Sequence, residues 1–118
     1  MRLHHVQVSC PPGAEDAARR FWVDGLGLEE VAKPPALAGR GGAWFRGDAV
    51  EVHVGVEEPF AAARKAHPAF VVDDLDARAR RLADLAYPVS WDDALPGHRR
   101  FYTADGHGNR VEVLQPVS

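Results

Sequence analysis

The sequence predicts an α+β fold in which two successive β-α-β-β-β modules form a curved, mostly antiparallel sheet shaped like a cup. Strand-like and helix-like segments occur in the same order in both halves of the 118-residue chain. A histidine and a glutamate also recur at nearly equal separations, since 51 − 5 = 46 for His5 and Glu51 and 112 − 67 = 45 for His67 and Glu112. A repeat of this kind indicates one motif used twice.

The first module is predicted to span about residues 1–56. Alternating side chains predict a first strand from Leu3 to Ser9, and Pro11-Pro12-Gly13 ends it. The helical spacing of apolar residues predicts a helix from Glu15 to Leu26, which stops at the glycines near its end. The remaining strand-like runs of this module are 28–31, 43–46 and 49–54.

A linker at about residues 57–66 leads to the second module, at about 67–118, and the whole chain, 1–118, is predicted to be one domain. A helix is expected from Leu75 to Leu85, with Asp74 as its N-cap. The strand-like runs are 67–72, 89–91, 99–103 and 110–114.

Composition excludes several classes of function. Hydrophobic residues make up 46% of the chain, and the net charge is −3 with both signs interspersed, so no basic surface is available for nucleic acid. No apolar run is long enough to cross a membrane. The single cysteine, Cys10, and the absence of a signal-like start lead us to expect a cytoplasmic protein.

Strand alternation places the candidate metal ligands together on one face. In the run 50–54 the valines alternate with Glu51 and His53, and in the run 110–114 they alternate with Glu112. Imidazole and carboxylate groups suit Zn, Ni, Co, Mn or Fe(II), and such a site keeps open positions for substrate. If the valine faces pack on the helices, the side chains that point into the cup are His5, Glu51, His53, His67 and Glu112.

A simpler interpretation is that each of these residues lies on the solvated face of a half-buried strand. The repeated spacing favours a metal site, because independent surface placement would not generate it. His53 could replace Glu51 as a ligand, act as a base or line the pocket. The other candidates for the substrate pocket are Gln7, Trp44, Arg100 and Tyr102, and for the last two a surface arginine beside a core-edge tyrosine is an equally open interpretation.

Four stretches resemble the vicinal oxygen chelate superfamily of glyoxalases, bleomycin-resistance proteins and dioxygenases. They are Leu3-His4-His5-Val6, Arg20-Phe21-Trp22 with Gly25-Leu26-Gly27-Leu28, the run from Lys65 to Val72, and the run from Phe101 to Glu112. The resemblance implies paired βαβββ modules around a divalent metal ion, in a homodimer whose sites draw on both subunits. Before the last strand, the run 105–109 lacks a proline that members often carry, which we expect to alter only the turn.

By position, the resemblance implies His5, His67 and Glu112 as metal ligands, with Glu51 as the fourth ligand of glyoxalase I type members. It implies a metal-dependent enzyme that acts on a small oxygen-chelating substrate, with isomerase or lyase chemistry favoured. Either Glu51 or Glu112 could leave the metal and serve as general base. The alternatives are a metal-free protein that sequesters a ligand, as bleomycin-resistance proteins do, an extradiol-type dioxygenase, or a fosfomycin-type thiol transferase.

Overall fold

The computed structural model describes residues 1–117 and divides into two compact units, Met1–Ala62 and Ala63–Ser118. Each unit contains a four-stranded mixed sheet with helix on the chain between its strands, which confirms the predicted α+β class. The division falls inside the linker predicted at 57–66. Ser118, the end of the predicted second module, lies outside the described residues, and the single-domain organisation stays a prediction.

The first unit has the predicted order of elements, with different strand ends. Its sheet order is β1-β4-β3-β2, in which only the β1–β4 pair is parallel. The first strand begins at Val6 and not at Leu3, so His5 lies just before it. The strands are β1 (Val6–Cys10), β2 (Glu29–Val31), β3 (Ala43–Arg46) and β4 (Glu51–Val56).

The helix of the first unit changes its hydrogen-bonding pattern along its length. Helix α1 (Glu15–Arg19) continues into a π-helical segment, Arg20–Gly25, where one uniform helix was predicted. The wider turn is closed by a bond from the Leu26 N–H to the Phe21 carbonyl at 2.9 Å, five residues back. Gly27 then takes a φ of +77°, which ends the helix as glycine permits. A short 3₁₀ segment, Pro35–Arg40, precedes β3.

The second unit also keeps the predicted order of elements. Its sheet order is β5-β8-β7-β6, again with one parallel pair, β5–β8. Helix α2 (Leu75–Asp84) buries Leu75, Ala79 and Leu82. Asp74 occupies the N-cap position but makes no capping hydrogen bond, because its carboxylate pairs with Arg78 at 3.4 Å instead. The strands are β5 (Ala69–Val71), β6 (Ser90–Asp92), β7 (His98–Ala104) and β8 (Arg110–Pro116).

The predicted alternation of valines with polar residues is present in the last strand of each unit. Val52 and Val113 are fully buried, as the alternation requires. Burial also extends to the opposite face, since His53 and Glu112 are each 5% exposed. A solvated strand face therefore does not describe these two residues, because buried ionisable groups need partners.

The turn before β8 is held by side chains and not by proline. Asn109 is 2% exposed, and its side-chain oxygen accepts a hydrogen bond from the Ala63 N–H at 2.9 Å. Its side-chain amide donates to Asp105 at 2.8 Å. The Arg110 N–H donates to the Ala63 carbonyl at 2.8 Å, so the turn ties the start of the unit to β8.

Within residues 1–117, no helix combines the length and apolar character needed to cross a bilayer.

Candidate functional site

His67 and Glu112 form the centre of a polar group in the second unit. His67 lies just before β5, and the Glu112 N–H donates to the Pro68 carbonyl at 3.0 Å, which brings the two side chains together. The His67 Nε2 lies 3.0 Å from the Glu112 Oε1. The side chains are 23% and 6% exposed, so the pair is shielded from water on the glutamate side.

The other ring nitrogen of His67, Nδ1, is hydrogen-bonded to the main chain. Its Nδ1 lies 2.8 Å from the Lys65 carbonyl oxygen, which can only accept, so Nδ1 carries the hydrogen and donates it. The His67 Nε2 then faces the Glu112 Oε1, and both atoms are possible ligands for a metal ion. A histidine oriented by a carbonyl in this way is the usual arrangement of a metal ligand.

The second oxygen of Glu112 belongs to a chain of ion pairs. The Arg100 Nη1 lies 3.1 Å from the Glu112 Oε2, and its Nη2 lies 3.1 Å from the Asp92 Oδ1. Burial lowers the pKa of Arg100, but hydrogen bonds to Glu112 and Asp92 outweigh it and the pKa rises above its usual value. The pKa of Asp92 is lowered by the Ala94 N–H and by Arg100. Arg100 is 15% exposed, so it is not a surface arginine.

Tyr102 lies among these charged groups. Its ring meets the His67 ring edge to face at 5.4 Å between centroids. The Arg110 guanidinium carbon lies 3.8 Å from the Tyr102 ring centroid, and that of Arg100 lies 5.1 Å away. The two guanidinium groups are attracted to the π electrons of the ring face and hold the Tyr102 ring in position.

The first unit places its candidates in a stack of rings. His53 stacks on Trp44, with centroids 3.7 Å apart and an interplanar angle of 1°. His5 stacks on His53, at 3.9 Å and 19°. Gln7 is the register partner of His53 across β1 and β4, and its side chain extends over Gly55. His53 therefore has a ring on each of its faces, and the stack holds its imidazole in place.

Glu51 is held from two sides. Its Oε2 lies 3.2 Å from the His53 Nε2, and its Oε1 accepts from the Arg46 side chain at 3.2 and 3.3 Å. The hydrogen bond with His53, and secondarily Arg46, lowers the pKa of Glu51. Burial lowers the pKa of His53 more than Glu51 raises it, so a neutral imidazole donates its Nε2–H to an ionised carboxylate.

Strand register shows which positions of the two units are equivalent. Across the parallel pairs, Gln7 lies opposite His53 and Ala69 lies opposite Glu112. His5 lies two residues before Gln7, and His67 lies two residues before Ala69. The offset is 53 − 7 = 46 in one sheet and 112 − 69 = 43 in the other. The similar sequence separations therefore do not correspond to the same register.

The antiparallel pairs give the same equivalence. Trp44 lies opposite His53, and Tyr102 lies opposite Glu112, so an aromatic side chain flanks both positions. The counterpart of Glu112 in the first unit is thus His53 and not Glu51. This favours the alternative that the sequence left open, while Glu51 as a ligand stays a prediction.

Among the described residues, no group of three or more His, Cys, Asp or Glu side chains is arranged to hold a metal ion. The donors that do converge are His67 Nε2 and Glu112 Oε1. A metal centre with the full predicted ligand set therefore stays a prediction.

Two surface depressions lie beside these groups. One, of about 320 Å³, is bordered by Arg100 and by Trp91, which is 50% exposed. The other, of about 210 Å³, is bordered by Arg46 and Glu51. Asp92, the partner of Arg100, could not be predicted from the sequence, because only the pairing of β6 with β7 brings the two residues together.

Comparison with solved structures identifies the class. The chain is 41% identical to a glyoxalase family protein from Bacillus anthracis, with a TM-score of 0.95, over 99% of this chain and 96% of that one. No protein-family model and no curated protein sequence matches the chain. The identity and coverage place the chain in the glyoxalase family, within the vicinal oxygen chelate superfamily, as the sequence motifs indicated.

More distant structures share the fold. The fosfomycin resistance protein FosX from Listeria monocytogenes is 14% identical with a TM-score of 0.78, over 99% of this chain and 94% of that one. TnmS3, an antibiotic binding protein from Streptomyces sp. CB03234, is 24% identical with a TM-score of 0.72, over 99% of each chain. At these identities the likeness concerns the fold.

Proposed function

We propose that the protein is a divalent-metal-dependent enzyme that acts on a small substrate with two neighbouring oxygens, by isomerase or lyase chemistry. The observation that carries the proposal is the His67–Glu112 pair. Its two possible ligand atoms face each other 3.0 Å apart, and the Lys65 carbonyl orients the imidazole as in metal sites. Zn, Ni, Co, Mn and Fe(II) all accept this combination of donors.

The family resemblance adds His5, from the same chain or from the partner in the proposed dimer, to His67 and Glu112 as a proposed ligand. A bound metal ion would act as a Lewis acid, polarising substrate oxygens. The fourth ligand is Glu51 in the glyoxalase I pattern, whereas strand register favours His53. The predicted pocket residues Gln7, Trp44, His53, Arg100 and Tyr102 would then orient the substrate.

Glu51 is the group that we propose to take a proton from a carbon next to a carbonyl. Its pKa is lowered by His53 and Arg46, so it is ionised but is a weaker base than an ordinary glutamate. It is also held in place by both neighbours, which favours a defined geometry for proton transfer. We therefore assign Glu51 as the general base, with its Oε2 and the neighbouring His53 N–H at the point where the proton arrives.

A metal-free ligand-binding protein is the second candidate. The first unit contains a stack of three rings, Trp44, His53 and His5, and an antibiotic binding protein shares the fold. An extradiol-type dioxygenase and a fosfomycin-type thiol transferase are further alternatives from the family resemblance. The thiol transferase is the less favoured of these two. The Arg100 guanidinium is already bound by two carboxylates, and the phosphonate of a fosfomycin-like substrate would have to compete with them.

We also propose a homodimer in the cytoplasm, with a small molecule as the ligand. The superfamily resemblance supports the dimer, and the composition supports the absence of nucleic acid and membrane partners. Light scattering coupled to gel filtration measures the mass in solution. A monomer at all concentrations would remove the dimer from the proposal.

Hydrogen exchange tests the catalytic proposal. The metal-free protein is reconstituted with each candidate metal and incubated in D₂O with thiohemiacetals and α-hydroxycarbonyl compounds, and NMR follows the hydrogen next to the carbonyl. We expect exchange that needs the metal and is abolished in Glu51→Gln, with metal content unchanged. Glu57→Gln, at an exposed position just beyond the same strand, is the matched control. Tight binding of planar compounds without metal or exchange would favour the binding protein.

A further inference from the structure

We propose that Arg110 binds a carboxylate of the substrate, so that the substrate is a small carboxylic acid. The inference rests on the proposed function, because it names the class of substrate for the same site. It also adds a residue to that site, since Arg110 belongs neither to the predicted ligands nor to the predicted pocket. Arg110 precedes Glu112 by two residues in strand β8 and therefore lies on the same face of the sheet.

Arg110 differs from the other two arginines in the strands of this sheet, because it has no carboxylate partner. Arg99 forms a two-pronged ion pair with Asp76, and Arg100 is bound by two carboxylates. Both oxygens of Glu112 are taken by other side chains. Within residues 1–117, the Arg110 guanidinium forms no ion pair and no hydrogen bond. A half-buried guanidinium with unused N–H groups is suited to bind a carboxylate from a ligand.

Tyr102 holds this guanidinium in place. The Arg110 guanidinium carbon lies 3.8 Å from the centroid of the Tyr102 ring. A guanidinium that lies over a ring keeps the N–H groups at its edge available, and these groups match the two oxygens of a carboxylate. The Tyr102 hydroxyl also makes no hydrogen bond to the part of the chain that the structure describes, so it is a further donor on this face.

The charges on this face favour a ligand with a single negative charge. Arg100 and Arg110 carry two positive formal charges, and Asp92 and Glu112 carry two negative ones, so the sum is zero. The pKa of Asp92 is lowered by the Ala94 N–H, by Arg100 and, least, by the charge of Arg110. A carboxylate brings the sum to 0 − 1 = −1, whereas a doubly charged phosphonate brings it to 0 − 2 = −2. A carboxylate is therefore favoured, because like charges repel more strongly in a partly buried place.

Strand geometry limits the size of the substrate. Residues two apart in a strand, such as Arg110 and Glu112, are separated by about 6.6 Å along it. One small molecule spans this distance, with a carboxylate at Arg110 and its two neighbouring oxygens beside Glu112. A benzene ring with a carboxylate at one end and adjacent hydroxyl groups at the other has suitable dimensions for a probe.

The experiment measures how the metal-free protein binds three probes that differ in one group. They are a dihydroxybenzoate with adjacent hydroxyl groups, the matching dihydroxybenzamide, which is neutral, and the matching dihydroxyphenyl phosphonate. NMR titration follows the Nε–H signal of Arg110 and gives the dissociation constants. We expect the benzoate to shift this signal and to bind about 10–100-fold more tightly than the benzamide, the usual contribution of hydrogen bonds to charged groups.

Two variants complete the test. Arg110→Gln should bring the affinities for the benzoate and the benzamide to nearly the same value. Arg99→Gln, which removes an arginine from the other face of β7, should keep the wild-type ratio. Equal binding of the two probes by the wild type, a measurement that needs no variant, would overturn the inference, and so would equal losses in both variants.

The phosphonate and the metal separate the remaining outcomes. If the phosphonate bound more tightly than the benzoate, and Arg110→Gln removed that binding, the carboxylate assignment would be overturned. The titration uses metal-free protein, so its result does not depend on metal-dependent activity. Carboxylate binding at Arg110 without such activity would remove the proposed function and leave the binding site, whereas activity on neutral compounds alone would remove only the inference.

Discussion

The contact between His67 and Glu112 predicts a specific loss of stability in the metal-free protein. His67→Ala leaves the buried Glu112 Oε1 without its partner, at a cost of about 1–3 kcal/mol. It also removes the edge-to-face contact with Tyr102, worth about 0.5–1.5 kcal/mol. The lost bond to the Lys65 carbonyl adds about 0.5–1.5 kcal/mol, so the expected destabilisation is about 2–6 kcal/mol.

His98 provides the control within the same unit. Its Nδ1 also bonds to a carbonyl two residues before it, that of Pro96, at 3.1 Å, but it meets no carboxylate among the described residues. His98→Ala should therefore cost about 0.5–1.5 kcal/mol, the value of one exposed hydrogen bond. Urea unfolding of both variants in chelator-containing buffer gives the two free energies. Equal values for His67→Ala and His98→Ala would refute the reasoning, because the Glu112 contact would then contribute nothing.

Two other contacts give predictions of a similar kind. Asn109→Ala removes a buried acceptor for the Ala63 N–H and a donor to Asp105, so urea unfolding should show a loss of about 2–4 kcal/mol, and a loss within 0.5 kcal/mol would contradict the proposed turn. Arg99 lowers the pKa of Asp76 below its ordinary value of 3.8, so the pair stabilises the fold fully above pH 3.8 and the benefit is lost as the pH falls through the lower pKa of the folded state. The stability difference between wild type and Asp76→Asn, measured against pH, should shrink only in that acidic range, and a difference that is constant across it would contradict the assignment.

The order of helices and strands could be predicted from the sequence, because it depends on the local periodicity of apolar residues. The alternation around Val52 and Val113 predicted the two central strands, and the spacing of apolar residues predicted both helices. The residues at which helices and strands begin and end were harder to predict. The π-helical turn after Arg19 keeps nearly the same apolar spacing as an α-helix, so the pattern does not distinguish the two.

The candidate site could be predicted from the sequence only in part. His67 and Glu112 were singled out from their residue types, and the structure brings them into contact. The equivalence of His53 with Glu112 was hidden, because the parallel offsets of the two sheets differ by three residues and sequence separation does not report register. The partner of Arg100 was hidden for the same reason, since a salt bridge between strands depends on their pairing.

The central claim is that the protein binds a divalent metal through His67 and Glu112. Elemental analysis of protein purified without an affinity tag or chelator, followed by titration of the metal-free protein, tests it most directly. We expect about one equivalent of metal per chain in the wild type and little in His67→Ala. The metal should also raise the unfolding temperature of the wild type alone, since binding to the folded state shifts the unfolding equilibrium. No metal in the wild type after reconstitution, or equal metal in the variant, would contradict the claim.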